Sequence, residues 1–124
     1  LAASEGPMID AVHRDASQLL GDHVIVIKGE GGEIEINPDS PCQLLGTSAE
    51  GSWEEEWPAF FAQRHVKPAQ LEPAKLLAVW QGHETCEYGL QAVISTIAMA
   101  LRGLGLPRQE AFSRAREIWD GRIF

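Results

Sequence analysis

The chain has 124 residues, of which 44% are hydrophobic and 23% charged, which is typical of one soluble globular domain. Its formal net charge of −8 at pH 7 disfavours contact with the phosphate backbone of nucleic acids unless a local basic face overrides it. The most apolar stretch, residues 85–105, is interrupted by Glu87, Gln91 and Arg102. The apolar run is therefore too short for a membrane span, which needs roughly 20 such residues.

The negative charge is concentrated in the first half of the chain. Residues 1–57 carry 12 acidic and 2 basic side chains, whereas residues 58–124 carry 6 acidic and 8 basic ones. Five arginines of the second half are candidates for a basic, anion-binding face: Arg102, Arg108, Arg114, Arg116 and Arg122. The alternative is that they form ordinary solvated helix surface.

Taken in chain order, the first predicted elements are a helix and a hairpin. Apolar residues recur at helical spacing over residues 8–20, and Gly21 stands where a C-terminal cap belongs. The β-branched run at residues 23–28 predicts a buried strand. A glycine-rich turn at residues 30–33 follows, and the alternation over residues 33–37 predicts a second strand with one wet face.

The rest of the chain predicts two more strands and three helices. After turn residues at 37–41, we expect strands at 42–47 and 53–57, the latter an edge strand flanked by Trp53 and Trp57. We expect helices at 71–80, at 85–105 as the central core helix, and from Pro107 to the glycine at 121. The predicted fold class is therefore mixed α/β (α+β): a small, mostly antiparallel sheet packed with helices.

Two stretches could hold a metal ion. Glu33 and Glu35 would share one face of the predicted strand, where carboxylates could bind magnesium, but their local sequence favours a solvated strand face. His83, Glu84, Cys86 and Glu87 cluster at the start of the central helix and could bind zinc. Their simpler interpretation is a helix start, with Thr85 as the N-cap and Glu87 in the first turn.

The two cysteines, Cys42 and Cys86, are far apart and no secretion signal precedes them. We therefore expect reduced thiols in a cytoplasmic protein, with a disulfide as the alternative. The chain starts at Leu1 rather than Met, and we expect it to be a piece of a longer protein.

Four segments in series resemble the C-terminal part of the anthranilate phosphoribosyltransferase family. They are VIVIKGEGGEIEIN from Val24, LLAVWQG from Leu76, AVISTIAMALRGLG from Ala92 and AFSRAREIWDG from Ala111. The resemblance implies that the chain is one domain, a C-terminal fragment of a phosphoribosyltransferase-type large α/β domain. The family's helical N-terminal domain and pyrophosphate loop would be missing, so the fragment alone is not expected to be active.

The resemblance also implies a reaction and partners. Family members transfer a phosphoribosyl group from phosphoribosyl pyrophosphate to an acceptor with Mg²⁺, and they commonly form homodimers through the helical domain. Aligned on Gly32, the family's metal-binding glutamate falls on Glu35, its aspartate on Ile34 and its histidine on Lys28. Glu35 is therefore the one candidate metal ligand that the resemblance supplies.

The form GEGGE-x-E-x-NPD looks more like the YbiB-like branch of this family. That branch includes nucleic-acid-binding proteins that lack the parent activity. Two functions thus stay open: a phosphoribosyl or related glycosyl transferase, or a nucleic-acid-binding protein on the same scaffold, which would need a basic groove from upstream residues.

Overall fold

The computed structural model describes residues 2–3, 7–20, 23–28, 34–66, 68–70 and 72–123. Within these residues the chain forms a four-stranded sheet and four helices. In chain order the elements are β1 (Ala2–Ala3), α1 (Pro7–Leu20), β2 (Val24–Lys28), β3 (Cys42–Ser48), β4 (Gly51–Trp57), α2 (Pro73–Trp80), α3 (Glu87–Gly103) and α4 (Arg108–Asp120). The predicted small mixed α/β fold is confirmed.

The sheet has the order β1-β2-β3-β4. The three longer strands are antiparallel neighbours, and the two-residue β1 pairs with β2 in parallel. A turn at Ala49 and Glu50 joins β3 to β4, and Gly51 follows it with φ +131°. Because this backbone angle lies in the region that disfavours a Cβ, glycine suits the start of β4.

The core lies between the sheet and helices α3 and α4. The strands contribute Ile25, Ile27, Leu44 and Trp57, while α3 contributes Ile94, Ala98 and Met99. Ala111 and Ala115 of α4 are also fully buried, and their small size lets α4 lie close to α3. The predicted role of residues 85–105 as the central core helix is therefore confirmed, with α3 at Glu87–Gly103.

The predicted strand at residues 33–37 is wrong where the structure describes it. Ile34 and Glu35 form a bend, and β2 pairs with β3 instead. Ile36 is buried in the core, and its backbone N–H donates to Oγ1 of Thr96 on α3 at 3.0 Å. The Thr96 hydroxyl thus accepts the hydrogen bond that a carbonyl oxygen of a neighbouring strand would have accepted. The predicted glycine turn at residues 30–33 lies outside the described residues.

Helix α1 confirms the predicted helix, but it contacts the sheet through a polar side chain. Ser17 is buried, and its hydroxyl lies 2.9 Å from that of Thr47 on β3. Val12, Leu19 and Leu20, which carry the apolar periodicity, are exposed instead. Helical spacing therefore identified the element but not the face that packs.

None of the helices that the structure describes is both long enough and apolar enough to cross a membrane.

Candidate functional site

A cavity of about 640 Å³ opens beside the N-terminus of α3. Its walls come from the turn after residue 36, the loop that follows β4, helix α2, the first turns of α3 and the end of α4. Among the residues that the structure describes, its apolar lining is formed by Val66, Pro68, Leu76, Val79, Trp80, Val93 and Trp119. Its volume and mainly apolar wall are those of a small-molecule site, for which 300–1,000 Å³ is usual.

A histidine–aspartate pair lies in the wall of this cavity. The ring Nδ1 of His65 lies 2.8 Å from Oδ1 of Asp39, and the backbone N–H of His65 donates to Oδ2 at 2.6 Å. An ionised carboxylate only accepts hydrogen bonds, so the His65 ring carries its proton on Nδ1. The Nε2 atom is then left for another partner.

The charge state of Asp39 follows from these contacts. Burial by itself raises the pKa of Asp39. The hydrogen bonds from the backbone and ring of His65 outweigh it, with help from the charges of His65 and Arg64, and hold the pKa below its usual value. Asp39 is therefore ionised at neutral pH.

Short hydrogen bonds fix the loop that carries His65. The backbone N–H groups of Phe60 and Phe61 both donate to the carbonyl oxygen of Pro38, at 2.8 and 3.1 Å. Phe61 also stacks edge-on against the His65 ring, with 4.6 Å between ring centroids. The turn that holds Asp39 therefore also positions the loop opposite it.

Cys86 lies at the N-cap of α3 and lines the cavity. Its Sγ accepts the backbone N–H of Gly89 at 3.4 Å, so Cys86 occupies the N-cap position predicted for Thr85. A Cβ at Gly89 would lie 3.3 Å from this sulfur, which is a tight contact. Glycine at position 89 leaves the space that the thiol occupies.

Tyr88, in the first turn of α3, contacts two other parts of the cavity wall. Its ring lies 5.1 Å from that of His65, and its hydroxyl donates to Oδ1 of Asn37 at 3.3 Å. The His65 loop is therefore held against the first turn of α3, next to Cys86.

Aromatic rings form part of the apolar wall. Trp80 and Trp119 meet edge to face at 5.7 Å, and Arg122 stacks 3.9 Å over the Trp119 ring. The Arg122 guanidinium also donates to the carbonyl oxygens of Trp80 and Trp119, at 2.7 and 2.9 Å. Arg122 thus joins the ends of α2 and α4 behind the cavity wall.

The predicted metal ligand Glu35 lies outside this site. It is exposed in the bend before Ile36 and does not line the cavity, while Glu33 lies outside the described residues. Among the residues that the structure describes, no three His, Cys, Asp or Glu side chains are grouped so that they could hold a metal ion. The metal role of Glu35 stays a prediction.

Of the four residues predicted as a possible zinc cluster at the start of the central helix, one lines the cavity. Cys86 lines it, whereas His83, Glu84 and Glu87 are exposed and do not. Sequence reasoning missed His65 and Asp39 because they are 26 residues apart, one in a turn and one in a segment without clear periodicity. Only the fold brings them together.

Several arginines of the predicted basic face bind other parts of the chain. Arg102 pairs with Glu55 at 2.8 Å, Arg114 pairs with Glu117 on the same helix, and Arg108 lies over the Trp57 ring. These contacts favour ordinary intramolecular roles for them over an anion-binding face.

The cysteines are free thiols, as predicted. Cys42 is buried at the start of β3, and this burial raises the pKa of its thiol to about 11. Cys42 does not line the cavity, so it is the less reactive thiol at neutral pH.

Comparison of the chain with family models, with curated proteins and with solved structures gave no match. The family resemblance seen in the sequence therefore stays a prediction, and the candidate site depends on its own geometry.

Proposed function

We propose that this chain binds a small organic molecule with an apolar body and one polar end. The observation that carries the proposal is the cavity of about 640 Å³, whose mainly apolar wall also contains polar side chains such as Asp39, His65 and Tyr88. Ligand sites commonly combine an apolar wall with a few converging polar groups.

The apolar body would lie against Val79, Trp80 and Val93. Burying it there contributes about 25 cal/mol for each Å² of apolar surface removed from water. The tryptophan rings also give the wall flat faces, which suit an alkyl chain or an aromatic ring.

The polar end would lie near His65, Cys86 and Tyr88. The side chains of Arg64 and Lys75, and those of Asp39 and Glu72, also line the cavity, so among the described residues its cationic and acidic groups are balanced in number. A ligand with one polar or singly charged group suits this balance better than one with several phosphates.

Octanoate is a suitable first probe, and its binding is measured by calorimetry. We expect saturable binding that Val93→Phe weakens at least tenfold, or about 1.4 kcal/mol, because the larger ring fills part of the cavity. Ile118→Phe is the matched control: Ile118 is 43% exposed and Val93 37%, both on helices, but Ile118 does not line the cavity. Equal affinity in both variants, or no binding to the folded wild type, contradicts the proposal.

Phosphoribosyl transfer stays a prediction from the family resemblance, as does nucleic-acid binding by a YbiB-like parent protein. The cavity supports neither, since its wall is mainly apolar and Glu35 is not part of it. The cytoplasmic location and the homodimeric parent protein likewise stay predictions.

A further inference from the structure

We infer that Cys86 is a nucleophile that removes an acyl group from an ester or thioester bound in this cavity, with His65 as general base and Asp39 as its positioning residue. The inference depends on the proposed function, because the cavity must first hold the acyl chain. The polar end then becomes the place of reaction and the apolar wall becomes the acyl site.

The position of Cys86 suits a nucleophile. Its sulfur lies at the N-terminus of the 17-residue helix α3, where the first backbone N–H groups have no carbonyl acceptor within the helix. The partial positive charge of a helix N-terminus favours the oxyanion that forms when a carbonyl is attacked. Cys86 also lines the cavity directly.

Asp39 sets the tautomer of the base. Asp39 accepts the Nδ1 proton of His65 at 2.8 Å, which leaves Nε2 to take a proton. A nucleophile, a base and a third group that orients the base are the parts of an activated nucleophile. The His65 ring lies 5.1 Å from that of Tyr88, two residues after Cys86, and both His65 and Cys86 line the cavity.

The reaction balances with water as the second substrate. Nε2 of His65 takes the thiol proton while the sulfur electron pair forms a bond to the carbonyl carbon and the carbonyl π pair moves to oxygen. When the carbonyl re-forms, the bond to the alcohol or thiol leaving group breaks, and that group takes the proton from His65. Water then attacks the thioester, His65 accepts its proton, and the released Cys86 sulfur takes that proton back.

The chain contains its own control thiol. Cys42 is buried outside the cavity, and its pKa of about 11 leaves it protonated at neutral pH. An acylating reagent therefore has one thiol at the cavity and one that it should not modify.

The test uses 4-nitrophenyl octanoate with the whole chain at neutral pH. We expect a burst of 4-nitrophenolate and an octanoyl group on Cys86, located by peptide mass spectrometry. Cys86→Asn keeps an N-cap side chain but removes the nucleophile, so it should fold and bind octanoate but lose both signals. Cys42→Ala should keep both, and circular dichroism checks that every variant is folded.

The positioning role of Asp39 is tested by a measurement that a purely structural residue would not change. We expect Asp39→Asn to slow acylation by about 100-fold or more, the range of general-base catalysis, and to alter the pH profile of the burst. Asp39→Glu should restore part of the rate, since it restores a carboxylate.

The outcomes separate the two proposals. Octanoate binding without acylation of Cys86, or an equal burst in Cys86→Asn, overturns the inference and leaves the proposed function standing. The absence of octanoate binding to the folded protein overturns both.

Discussion

The Nδ1 atom of His65 lies 2.8 Å from Oδ1 of Asp39, and the other oxygen of the same carboxylate accepts the His65 backbone N–H at 2.6 Å. One aspartate, whose side chain is only 6% exposed, therefore holds both the ring and the backbone of a residue 26 positions later. This double contact fixes the loop that forms one wall of the cavity.

We expect Asp39→Asn to loosen this loop without unfolding the domain. The amide has one oxygen where the carboxylate has two, so it cannot accept both hydrogen bonds in the same geometry. Hydrogen exchange at the His65 amide should become about tenfold faster, because a charge-assisted hydrogen bond is lost. Asp15→Asn, on the exposed side of α1, is the control and should leave that rate unchanged.

A second prediction concerns the ion pair that ties β4 to α3. Nε and Nη2 of Arg102 donate to Oε1 of Glu55 at 2.9 and 2.8 Å, and Arg102 also lies 4.0 Å over the Trp53 ring. The two charged side chains are 18% and 29% exposed. We expect Arg102→Met to lower the free energy of unfolding by about 2 kcal/mol, because it leaves Glu55 partly buried and unpaired.

Arg114→Met is the matched control in urea denaturation. The Arg114–Glu117 pair is 60% and 63% exposed, and such a surface pair contributes about 0.5 kcal/mol or less. Equal losses of stability in the two variants would contradict the role given to the Arg102 pair.

The same ion pair predicts a pH dependence. Burial by itself raises the pKa of Glu55. Hydrogen bonds from Arg102 and Trp57, together with the charges of Arg102 and Arg108, outweigh this effect. The pKa of Glu55 in the folded protein therefore lies below its usual value. The stabilisation is therefore present above the unfolded pKa, about 4.3 for glutamate, and is lost as pH falls through the folded value. The difference between wild type and Arg102→Met should shrink at that acidic pH, and remain constant from pH 6 to 8.

A third prediction concerns Gly46, which pairs with Trp53 across β3 and β4. A Cβ at Gly46 would lie 1.9 Å from the Trp53 ring, so either the ring or the strand must move. We expect Gly46→Ala to lower the free energy of unfolding by about 2 kcal/mol, as overpacking does. In the Trp53→Leu background the same change should cost clearly less. Equal costs in both backgrounds would show that the ring is not the obstacle.

The fourth prediction comes from the family resemblance and uses Glu35. If the chain belongs to a phosphoribosyltransferase, calorimetric titration of the full-length parent protein should detect binding of phosphoribosyl pyrophosphate that requires Mg²⁺. Glu35→Gln should then weaken binding at least tenfold, since a metal ligand loses its charge. Unchanged affinity would remove Glu35 as a ligand, and no binding by the folded parent protein would exclude the reaction.

The sequence by itself determined most of the regular segments. The β-branched run at residues 23–28 became β2, and the apolar periodicity of residues 85–105 became the buried helix α3. Both signals are local, because a strand or helix that buries one face must repeat its apolar residues at a fixed period. The same reasoning failed at Ile36, whose hydrogen-bond partner, Thr96, is 60 residues away.

Only the tertiary structure decided which faces pack and which side chains meet. Helix α1 has a clear apolar stripe, yet over residues 11–20 the buried side chain is Ser17, whose hydroxyl lies 2.9 Å from that of Thr47 on β3. Asp39, His65 and Cys86 share no spacing that a sequence pattern could reveal, and they line one cavity because the chain folds back on itself there. Periodicity describes neighbours along one element, whereas a site is made by contacts between distant ones.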